Sequence, residues 1–268
     1  MSNQLKAWDR VLKAREAQRP KASDYIENLI DDFIELHGDR NYGDDKAFIC
    51  GIGYLEGIPV TVIAQQKGKT TKENMERNFG MPNPEGYRKA IRLMKQAEKF
   101  GRPIITIIDT PGAYPGMGAE ERGQGEAIAR SMFEMSQLKT PIIAVVIGEG
   151  SSGGALAICI ADKIYMLENA VYSILSPEGF ASILYKDSSK CKEAAENMKL
   201  TSYDLKELGI IDEIIKEPKK GIENDFEKVV HQLRQKILQD IAEIEKMKPT
   251  EMLEKRYEKY RQIGNTFD

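Results

Sequence analysis

The chain has 268 residues, of which 41% are hydrophobic and 30% are charged, a composition typical of a globular protein whose core needs no disulfides or structural metal. The 39 Lys and Arg residues nearly balance the 42 Asp and Glu residues, so the net charge of −3 provides no general basic field for DNA or RNA. The longest apolar runs fall far short of the roughly 20 residues of a membrane-spanning helix.

The cysteines and the N-terminal residues indicate the cellular compartment. Cys50, Cys159 and Cys191 are scattered without CxxC spacing, which excludes a zinc ribbon and argues against a disulfide framework. The first 15 residues carry charges where a secretory signal would have its apolar stretch. We therefore expect a cytoplasmic protein.

The N-terminal region is predicted to be helical from Gln4 to about Gly38, with a break at Pro20. Ser23 is a candidate N-cap, and apolar residues follow it at helical spacing as far as Ile34. We interpret residues 1–38 as a helical arm.

A sheet is predicted to begin with a hairpin, in which a Glu-Gly turn joins the β-prone runs 47–54 and 58–64. The connection 67–84 that follows is long, polar and basic, and connections of that length are often functional. Its basic residues are candidates for binding phosphates or an acidic partner, although a solvated surface explains them equally well: Lys67, Lys69, Lys72 and Arg77.

Two units of strand, glycine turn and helix follow a helix predicted over residues 85–101. In the first, strand 103–109 leads through TPGAYPGMG into a helix over 120–138; in the second, strand 141–147 leads through GEGSSGG into a helix over 154–161 and a strand over 164–167. The strands are apolar throughout, as in parallel strands buried on both faces. Such repeats predict a parallel α/β core with right-handed crossovers, and functional groups at the carboxyl ends of the strands.

The rest of the chain is predicted to complete the core and to end in helices. Short strands over 171–175 and 210–215 enclose three short helices, over 177–185, 190–198 and 202–208. Apolar residues at helical spacing predict a long amphipathic helix and one more helix within residues 222–262. We interpret the chain, residues 1–268, as one domain with a core over about 39–217 and C-terminal helices over about 222–262.

The loop Gly148–Gly154 joins an apolar strand to a helix. Its glycines permit positive φ and leave backbone N–H groups uncovered at the positive end of the helix. This predicts a site for an anion, either a phosphate or an oxyanion that forms during a reaction. The alternative is a tight turn, in which glycine only lets strand and helix approach.

The same loop contains the nucleophile-elbow pattern G-x-S-x-G, with Ser152 in the nucleophile position. A serine hydrolase of that type needs a histidine base later in the chain. The sequence has only His37, in the predicted arm, and His231, on the predicted long helix. A hydrolase is therefore disfavoured, but it stays an alternative.

The second glycine-containing loop, Asp109–Gly116, also follows a buried strand. Two prolines restrict this loop while two glycines let its backbone approach a ligand. Because the two loops follow neighbouring strands, we expect them to line one cleft. A stiff turn without a ligand is the alternative for this loop.

Four strings in the sequence resemble the carboxyltransferase alpha subunit of bacterial acetyl-CoA carboxylase. The similarity runs from about Trp8 to Gly264, and the strings are long and consecutive: QKGKTTKENMERNFGMPNPEGYRKAIRLM, PIITIIDTPGAYPGMGAEERGQGEAIAR, VIGEGSSGGALAI and YSILSPEGFASILYK. This resemblance implies an α/β fold of the crotonase type, a spiral of repeated ββα units, with helical extensions at both ends.

The resemblance also implies the reaction. In that family the carboxyl group of carboxybiotin, held on a biotin carboxyl carrier protein, moves to acetyl-CoA and gives malonyl-CoA, the first committed step of fatty acid synthesis. Biotin is then the cofactor, biotin carboxylase loads it, and a zinc-bearing beta subunit completes the active site, expected as an α2β2 heterotetramer. No metal is expected on this chain.

By similarity, backbone N–H groups of Gly153, Gly154 and Ala155 would form the oxyanion hole for the ureido oxygen of biotin, and the beta subunit would form the hole for the thioester oxygen. The substrate-binding residues implied are those of the two loops: Gly112, Ala113, Tyr114, Pro115, Gly116, Gly150, Ser151 and Ser152.

Three other functions stay open on the residues alone. A stand-alone crotonase-type hydratase or isomerase would need an acid/base such as Glu149 or Glu120. A Clp-like serine peptidase would use Ser152, and a non-catalytic assembly protein would use none of these residues.

Overall fold

A mixed β-sheet of eight strands runs through residues 5–264, the part of the chain that the computed structural model describes. The strands are β1 (Asp31–Glu35), β2 (Phe48–Leu55), β3 (Ile58–Gln65), β4 (Ile104–Thr110), β5 (Ile142–Ser151), β6 (Lys163–Leu167), β7 (Val171–Ser173) and β8 (Glu213–Ile215). Their order across the sheet is β1-β2-β3-β4-β5-β6-β8, and β7 pairs with β5 outside that path.

Helices surround the sheet. They are α1 (Ala7–Ala14), α2 (Ala22–Leu29), α3 (Thr71–Glu76), α4 (Pro84–Lys99), α5 (Met117–Glu121), α6 (Gln124–Gln137), α7 (Ser152–Leu156), α8 (Pro177–Phe180), α9 (Cys191–Asn197), α10 (Ser202–Glu207), α11 (Phe226–Ile244) and α12 (Pro249–Gln262). A π-helical turn, Ala181–Tyr185, continues α8.

The predicted hairpin and the predicted parallel units are confirmed. β2 and β3 pair antiparallel, with Phe48 opposite Gln65. From β3 onward, β4, β5, β6 and β8 are added in parallel. Every residue of β4 and β5 is buried, as expected of strands covered on both faces.

Strand β5 is shared between two parts of the sheet. Residues 143–146 of β5 pair with β6, whereas residues 149–151 pair with β7. On its other side, Ile108 of β4 lies opposite Val146 and Thr110 lies opposite Gly150. Four residues of β5 therefore span two residues of β4, which is a bulge at residues 147–149 that redirects the end of β5.

The core is apolar and includes two edge-to-face aromatic pairs. The rings of Phe48 and Tyr87 lie 5.5 Å apart at 78°, which joins β2 to α4. The rings of Tyr25 and Phe226 lie 4.9 Å apart at 87°, which joins α2 to α11. Such pairs add about 0.5–1.5 kcal/mol beyond the area that they bury.

The prediction that the second helix continues through Ile34 is wrong. Helix α2 ends at Leu29, and Asp31–Glu35 form β1, an antiparallel neighbour of β2. The reason is the surface that β2 offers: a Cβ on Gly51 would lie 2.5 Å from Cζ of Phe33. Glycine in β2 thus makes room for the bulky residues of an added strand. The helix also begins one residue before the predicted N-cap Ser23.

Three other segments differ from their predictions. The predicted connection 67–84 contains α3, whose first turn is capped by Thr70, since its hydroxyl accepts a hydrogen bond from Glu73 N. The single helix predicted over 120–138 is two helices, because Gly123 has φ of 84° between α5 and α6. The predicted loop 148–154 is divided between the end of β5 and the start of α7.

Candidate active site

The two glycine-containing loops lie directly against each other. A Cβ placed on Gly154 would lie 2.5 Å from Ala113 N and 2.7 Å from the carbonyl carbon of Gly112. Only a residue without a side chain permits this backbone contact. The structure therefore brings together the ends of β4 and β5, as the expected common cleft requires.

Hydrogen bonds hold the turn after β4 in one conformation. Gly112 has φ of 143°, its N–H donates to Thr110 Oγ1 at 3.0 Å, and its carbonyl accepts from the same hydroxyl at 2.8 Å. Tyr114 N donates to Pro82 O at 3.0 Å, and Gln124 Nε2 donates to Tyr114 O at 2.9 Å. These contacts make residues 110–114 a rigid wall.

The rest of that turn is more open. Pro115 is exposed. A Cβ on Gly116 would lie 2.3 Å from Cε1 of Tyr114, so the tyrosine ring folds over the backbone of Gly116. Met117, which follows, is 78% exposed. This stretch forms the rim of the cleft.

Helix α7 begins at the bend after β5. Ser151 ends the strand, and Ser152 adopts φ of 57°, an uncommon value for a residue with a side chain. In a regular helix that starts at Ser152, the N–H groups of Gly153 and Gly154 have no intrahelical acceptor, whereas that of Ala155 is the first to reach a carbonyl. The N–H groups of Gly153 and Gly154, in the first turn of α7 and beside the turn after β4, are therefore candidate donors.

An apolar cavity of about 580 Å³ opens next to this bend. Of the residues that line it, sequence reasoning assigned only Ser152 and Gly153, because the others come from separate segments and follow no short motif. The cavity is lined by Ser152, Gly153, Leu156, Tyr172, Ser173, Ile174, Phe180, Met198, Lys199, Leu205, Leu208 and Ile210.

A network of ion pairs lies just before the bend at Ser152. Lys67 Nζ lies 2.7 Å from Asp109 Oδ1 and 2.9 Å from Glu149 Oε2. Glu149 Oε1 also lies 2.7 Å from Arg15 Nε, and Arg15 Nη1 lies 2.7 Å from Glu178 Oε1. These ion pairs join the segments that follow α1 and β3 to β4, β5 and α8, at the carboxyl ends of the strands.

The basic residues of the segment 67–84 differ in their burial and in their partners. Lys67 is nearly buried and ion-paired, so it is not available to a phosphate. Lys69 pairs with Asp24, and Arg77 donates to Lys46 O at 2.6 Å. Lys72 is exposed.

The ion pairs decide the protonation state of Glu149. Burial by itself raises the pKa of this carboxyl, but Lys67 and Arg15 more than offset it, so that the pKa is lowered. Burial likewise lowers the pKa of Lys67, and its two carboxylate partners reverse the direction. Glu149 stays a carboxylate bound by two cations and is unsuited to acid/base catalysis. Glu120, the other residue considered for that role, is exposed on α5.

The geometry does not support a serine hydrolase. Ser152 does occupy a bent junction of strand and helix, as a nucleophile elbow requires. However, His37 is exposed and lies 3.0 Å from Asp44 Oδ2, and His231 is exposed on α11. Within residues 5–264, neither histidine is hydrogen-bonded to Ser152.

Among residues 5–264, no cluster of three or more His, Cys, Asp or Glu side chains is arranged to hold a metal ion. Burial raises the pKa of the Cys50 thiol to about 12 and that of Cys159 to about 11.

None of the helices within residues 5–264 is long and apolar enough to cross a membrane.

Solved structures define the class of the fold. A structure of transcarboxylase 12S with hydrolysed methylmalonyl-coenzyme A superposes with a TM-score of 0.70 at 20% identity, over 92% of this chain and 46% of that one. The Pseudomonas malonate decarboxylase hetero-tetramer in complex with coenzyme A gives a TM-score of 0.61 at 16% identity, over 76% of this chain and 82% of that one. The fold is that of the crotonase-type carboxyltransferases, and the predicted fold class is confirmed.

The sequence places the chain more narrowly. The acetyl co-enzyme A carboxylase carboxyltransferase-like family matches residues 1–264, and the chain belongs to this family. The acetyl-coenzyme A carboxylase carboxyl transferase subunit alpha of Clostridium botulinum strain Alaska E43 is 62% identical over 257 residues, which are 96% of this chain and 94% of that protein. The subunit alpha of Staphylococcus carnosus is 59% identical, over 97% of this chain and 82% of that protein.

One relative joins two subunits in one polypeptide. The protein of Clostridium tetani named for subunits beta/alpha is 56% identical over 264 residues, which are 98% of this chain and 46% of that protein. The present chain corresponds to slightly less than half of that fused protein.

Proposed function

We propose that this chain forms the alpha-subunit half of a carboxyltransferase active site, which moves a carboxyl group from carboxybiotin to acetyl-CoA and produces malonyl-CoA. The observation that carries this proposal is the contact of Gly154 with Gly112 and Ala113. Because the start of α7 lies beside a rigid turn and at the mouth of an apolar cavity, this contact supports a donor role for its N–H groups.

Backbone donors suit this reaction. When bound, carboxybiotin supplies an activated carboxyl group and a ureido oxygen on which negative charge develops. The N–H groups of Gly153 and Gly154, at the positive end of α7, would stabilise that charge without any side chain. Ala155, included by similarity, would contribute mainly by fixing the first turn of the helix. The loss of one such donor typically costs about 3–4 kcal/mol of barrier lowering.

The cavity and the turn fit a bicyclic, largely apolar ring with one polar edge. Apolar side chains form most of the cavity wall, including Leu156, Tyr172 and Phe180. The turn from Gly112 to Gly116 would form the opposite wall of the cleft. Gly150, Ser151 and Ser152 would contribute backbone to the cleft. At Gly150 the backbone lies close to Tyr172, since a Cβ there would lie 2.9 Å from the Tyr172 ring.

A partner chain would complete the site. Two oxygens gain charge in the reaction, and we assign one donor-rich bend to this chain, so the thioester oxygen needs donors from a beta subunit. The name subunit alpha in the relatives and the fused beta/alpha protein support such a partner. We further propose an α2β2 heterotetramer with zinc on the beta subunit. Biotin carboxylase would carboxylate the biotin of a carrier protein, and that carrier protein would bring carboxybiotin to the heterotetramer.

The test is to assay the purified chain alone and with its beta subunit. Free biotin and malonyl-CoA serve as substrates in the reverse direction, and zinc is measured on each chain. We expect turnover only in the mixture and stoichiometric zinc only on the beta subunit. Substantial turnover by this chain alone, or stoichiometric zinc bound to it, would overturn the shared site.

The same preparation discriminates the other candidate functions. The chain alone is offered crotonyl-CoA and a peptide substrate under identical conditions. Hydration of crotonyl-CoA would favour a stand-alone hydratase, and peptide cleavage would favour a peptidase. We expect neither reaction, because Glu149 is held as an ion-paired carboxylate and Ser152 lacks a histidine partner.

A further inference from the structure

Gln65, the last residue of β3, contacts the helix that begins at the site. Its Nε2 donates a hydrogen bond to Gly154 O at 2.7 Å, and its side chain is fully buried. Tyr87 OH lies 3.5 Å from the same oxygen. The carbonyl of Gly154 is therefore held mainly by the amide of Gln65.

Helix α7 is so short that this carbonyl needs a donor from elsewhere. Gly153 O accepts a hydrogen bond from Ala157 N at 2.9 Å, as in a regular helix. The next donor along the ladder, Ile158 N, bonds instead to Ala155 O at 3.2 Å. Gly154 O is thus left without its helical partner, and a buried carbonyl without a donor is costly.

The orientation of the Gln65 amide has a cost of its own. Because a carbonyl oxygen can only accept, the NH2 end must face Gly154. The other end, Gln65 Oε1, has no hydrogen-bond partner among residues 5–264. Gln65 thus leaves one of its own buried atoms unpaired to hold Gly154 O, an arrangement that stability alone does not favour.

Holding this oxygen fixes the first turn of α7, to which the N–H groups of Gly153 and Gly154 belong. The C=O of Gly154 and the N–H of Ala155 belong to one planar peptide unit and point in opposite directions. Gly154 is also pressed against Ala113 on its other side. We propose that Gln65 is a positioning residue, whose amide locks the Gly154–Ala155 peptide so that the N–H groups at the start of α7 stay aimed into the cleft. This inference rests on the proposed function.

The neighbouring residue provides a matched control. Gln66 is also buried, but its amide faces α2: Oε1 accepts from Ser23 N at 2.8 Å, and Nε2 donates to Lys67 O at 2.9 Å. Gln65→Met and Gln66→Met remove the same group from adjacent buried positions, and only the first change releases Gly154. Both variants are prepared in complex with the beta subunit.

We expect Gln65→Met to lower kcat of the reverse reaction on the order of 10- to 100-fold, part of the effect of losing an oxyanion donor, with little change in KM for malonyl-CoA. Gln66→Met should keep an activity within about threefold of the unaltered complex, although we expect its Tm to fall by as much as that of Gln65→Met. Equal activities of the two variants, or losses that follow Tm alone, would overturn the positioning role.

An isosteric variant tests the donor itself. In Gln65→Glu the protonated carboxyl can donate to Gly154 O, but the carboxylate cannot, and burial favours the neutral form. Tyr87, the titratable group on the same oxygen, has a raised pKa and stays neutral. The activity of Gln65→Glu relative to the unaltered complex should therefore be higher at pH 6 than at pH 8. A ratio independent of pH would count against the donor role.

A measurement without turnover separates this inference from the proposed function. Hydrogen exchange of the Ala155 amide should speed up in Gln65→Met and not in Gln66→Met, and an unchanged rate in Gln65→Met would overturn the lock. Inactivity of the unaltered complex would instead refute the proposed function and leave the exchange result to decide on Gln65.

Discussion

Asp109 Oδ1 accepts a hydrogen bond from the backbone N–H of Glu149 at 3.0 Å. This bond lies at the bulge of β5, where a Cβ on Gly148 would lie 2.5 Å from the same carboxylate oxygen. One side chain of β4 thus sets the path that β5 takes into the bend at Ser152. The charge on Asp109 is compensated by Lys67 at 2.7 Å.

Replacement of Lys67 by methionine should destabilise the fold strongly. It would leave the carboxylates of Asp109 and Glu149 buried without their shared cation, which typically costs about 3–5 kcal/mol. Urea unfolding measures this loss. Lys72→Met is the control, since Lys72 is exposed and should change the free energy of unfolding by less than about 0.5 kcal/mol. Equal effects of the two changes would contradict the role of the ion pairs.

Acid should remove stability through Glu217. Arg19 Nη2 lies 2.7 Å from Glu217 Oε1 in a buried pair. Burial by itself raises the pKa of Glu217, but Arg19 and Asn169 reverse this, so that the pKa is lowered below its ordinary value of 4.5. A lowered folded-state pKa stabilises the protein above the unfolded-state value, and this contribution is lost as the pH falls through the folded-state value.

The measurement is urea unfolding of the unaltered chain and of Glu217→Gln at pH 7 and at pH 4. The free energy of unfolding should fall toward pH 4 in both, but less steeply in Glu217→Gln, because that variant has lost one titrating group. A slope unchanged by the substitution would show that Glu217 does not contribute to the pH dependence.

Removal of the Ser152 hydroxyl should leave most of the carboxyltransferase activity. Ser152→Ala keeps a side chain at φ of 57°, whereas Ser152→Gly also relieves that backbone conformation. Both variants in complex with the beta subunit should stay within about tenfold of the unaltered complex, because the proposed mechanism gives this hydroxyl no nucleophilic role. A loss of more than about a thousandfold in both, the scale seen for a catalytic triad, would favour the hydrolase instead.

Arg256 is expected to anchor α12 to the core. Its guanidinium lies 2.7 Å from Asp162 Oδ2 and donates to three buried carbonyls, those of Met135, Leu138 and Thr140. Arg256→Met should lower the free energy of unfolding by about 3–5 kcal/mol, since it removes the cation paired with Asp162 and a donor from each of these carbonyls. Lys255→Met, at an exposed neighbour, is the matched control. A similar loss in both variants would refute the anchor.

Periodicity predicted the parallel part of the sheet because buried runs such as residues 104–108 fit no other element of that length. It failed for β1, since Phe33 and Ile34 fit a helical spacing as well as a strand, and the glycines of β2 that decide between them are distant in the chain. The division of the chain near residues 38 and 217 stays a prediction.

The site was predicted only in part, because a sequence pattern reveals local motifs but not contacts between distant segments. Its glycine-containing turns form local motifs, and the residues that hold them do not. Arg15 and Glu178 are 163 residues apart in the sequence, and Gln65 and Gly154 are 89 residues apart. Neither contact follows from a spacing rule, because both depend on how the strands are ordered in the sheet.

The central claim is that backbone N–H groups at the start of α7 stabilise the oxyanion, and Gly153 tests it most directly. Gly153→Pro removes the N–H at a position in the first turn of a helix, where proline is tolerated. Gly153→Ala keeps the N–H, and its Cβ would lie 3.3 Å from a methyl group of Ile128. Both variants are assayed in complex with the beta subunit, with circular dichroism to verify folding.

We expect Gly153→Pro to lose about 10²- to 10³-fold in kcat, as for other oxyanion donors, and Gly153→Ala to lose less than about tenfold. A folded Gly153→Pro complex as active as Gly153→Ala would contradict the assignment of the oxyanion hole.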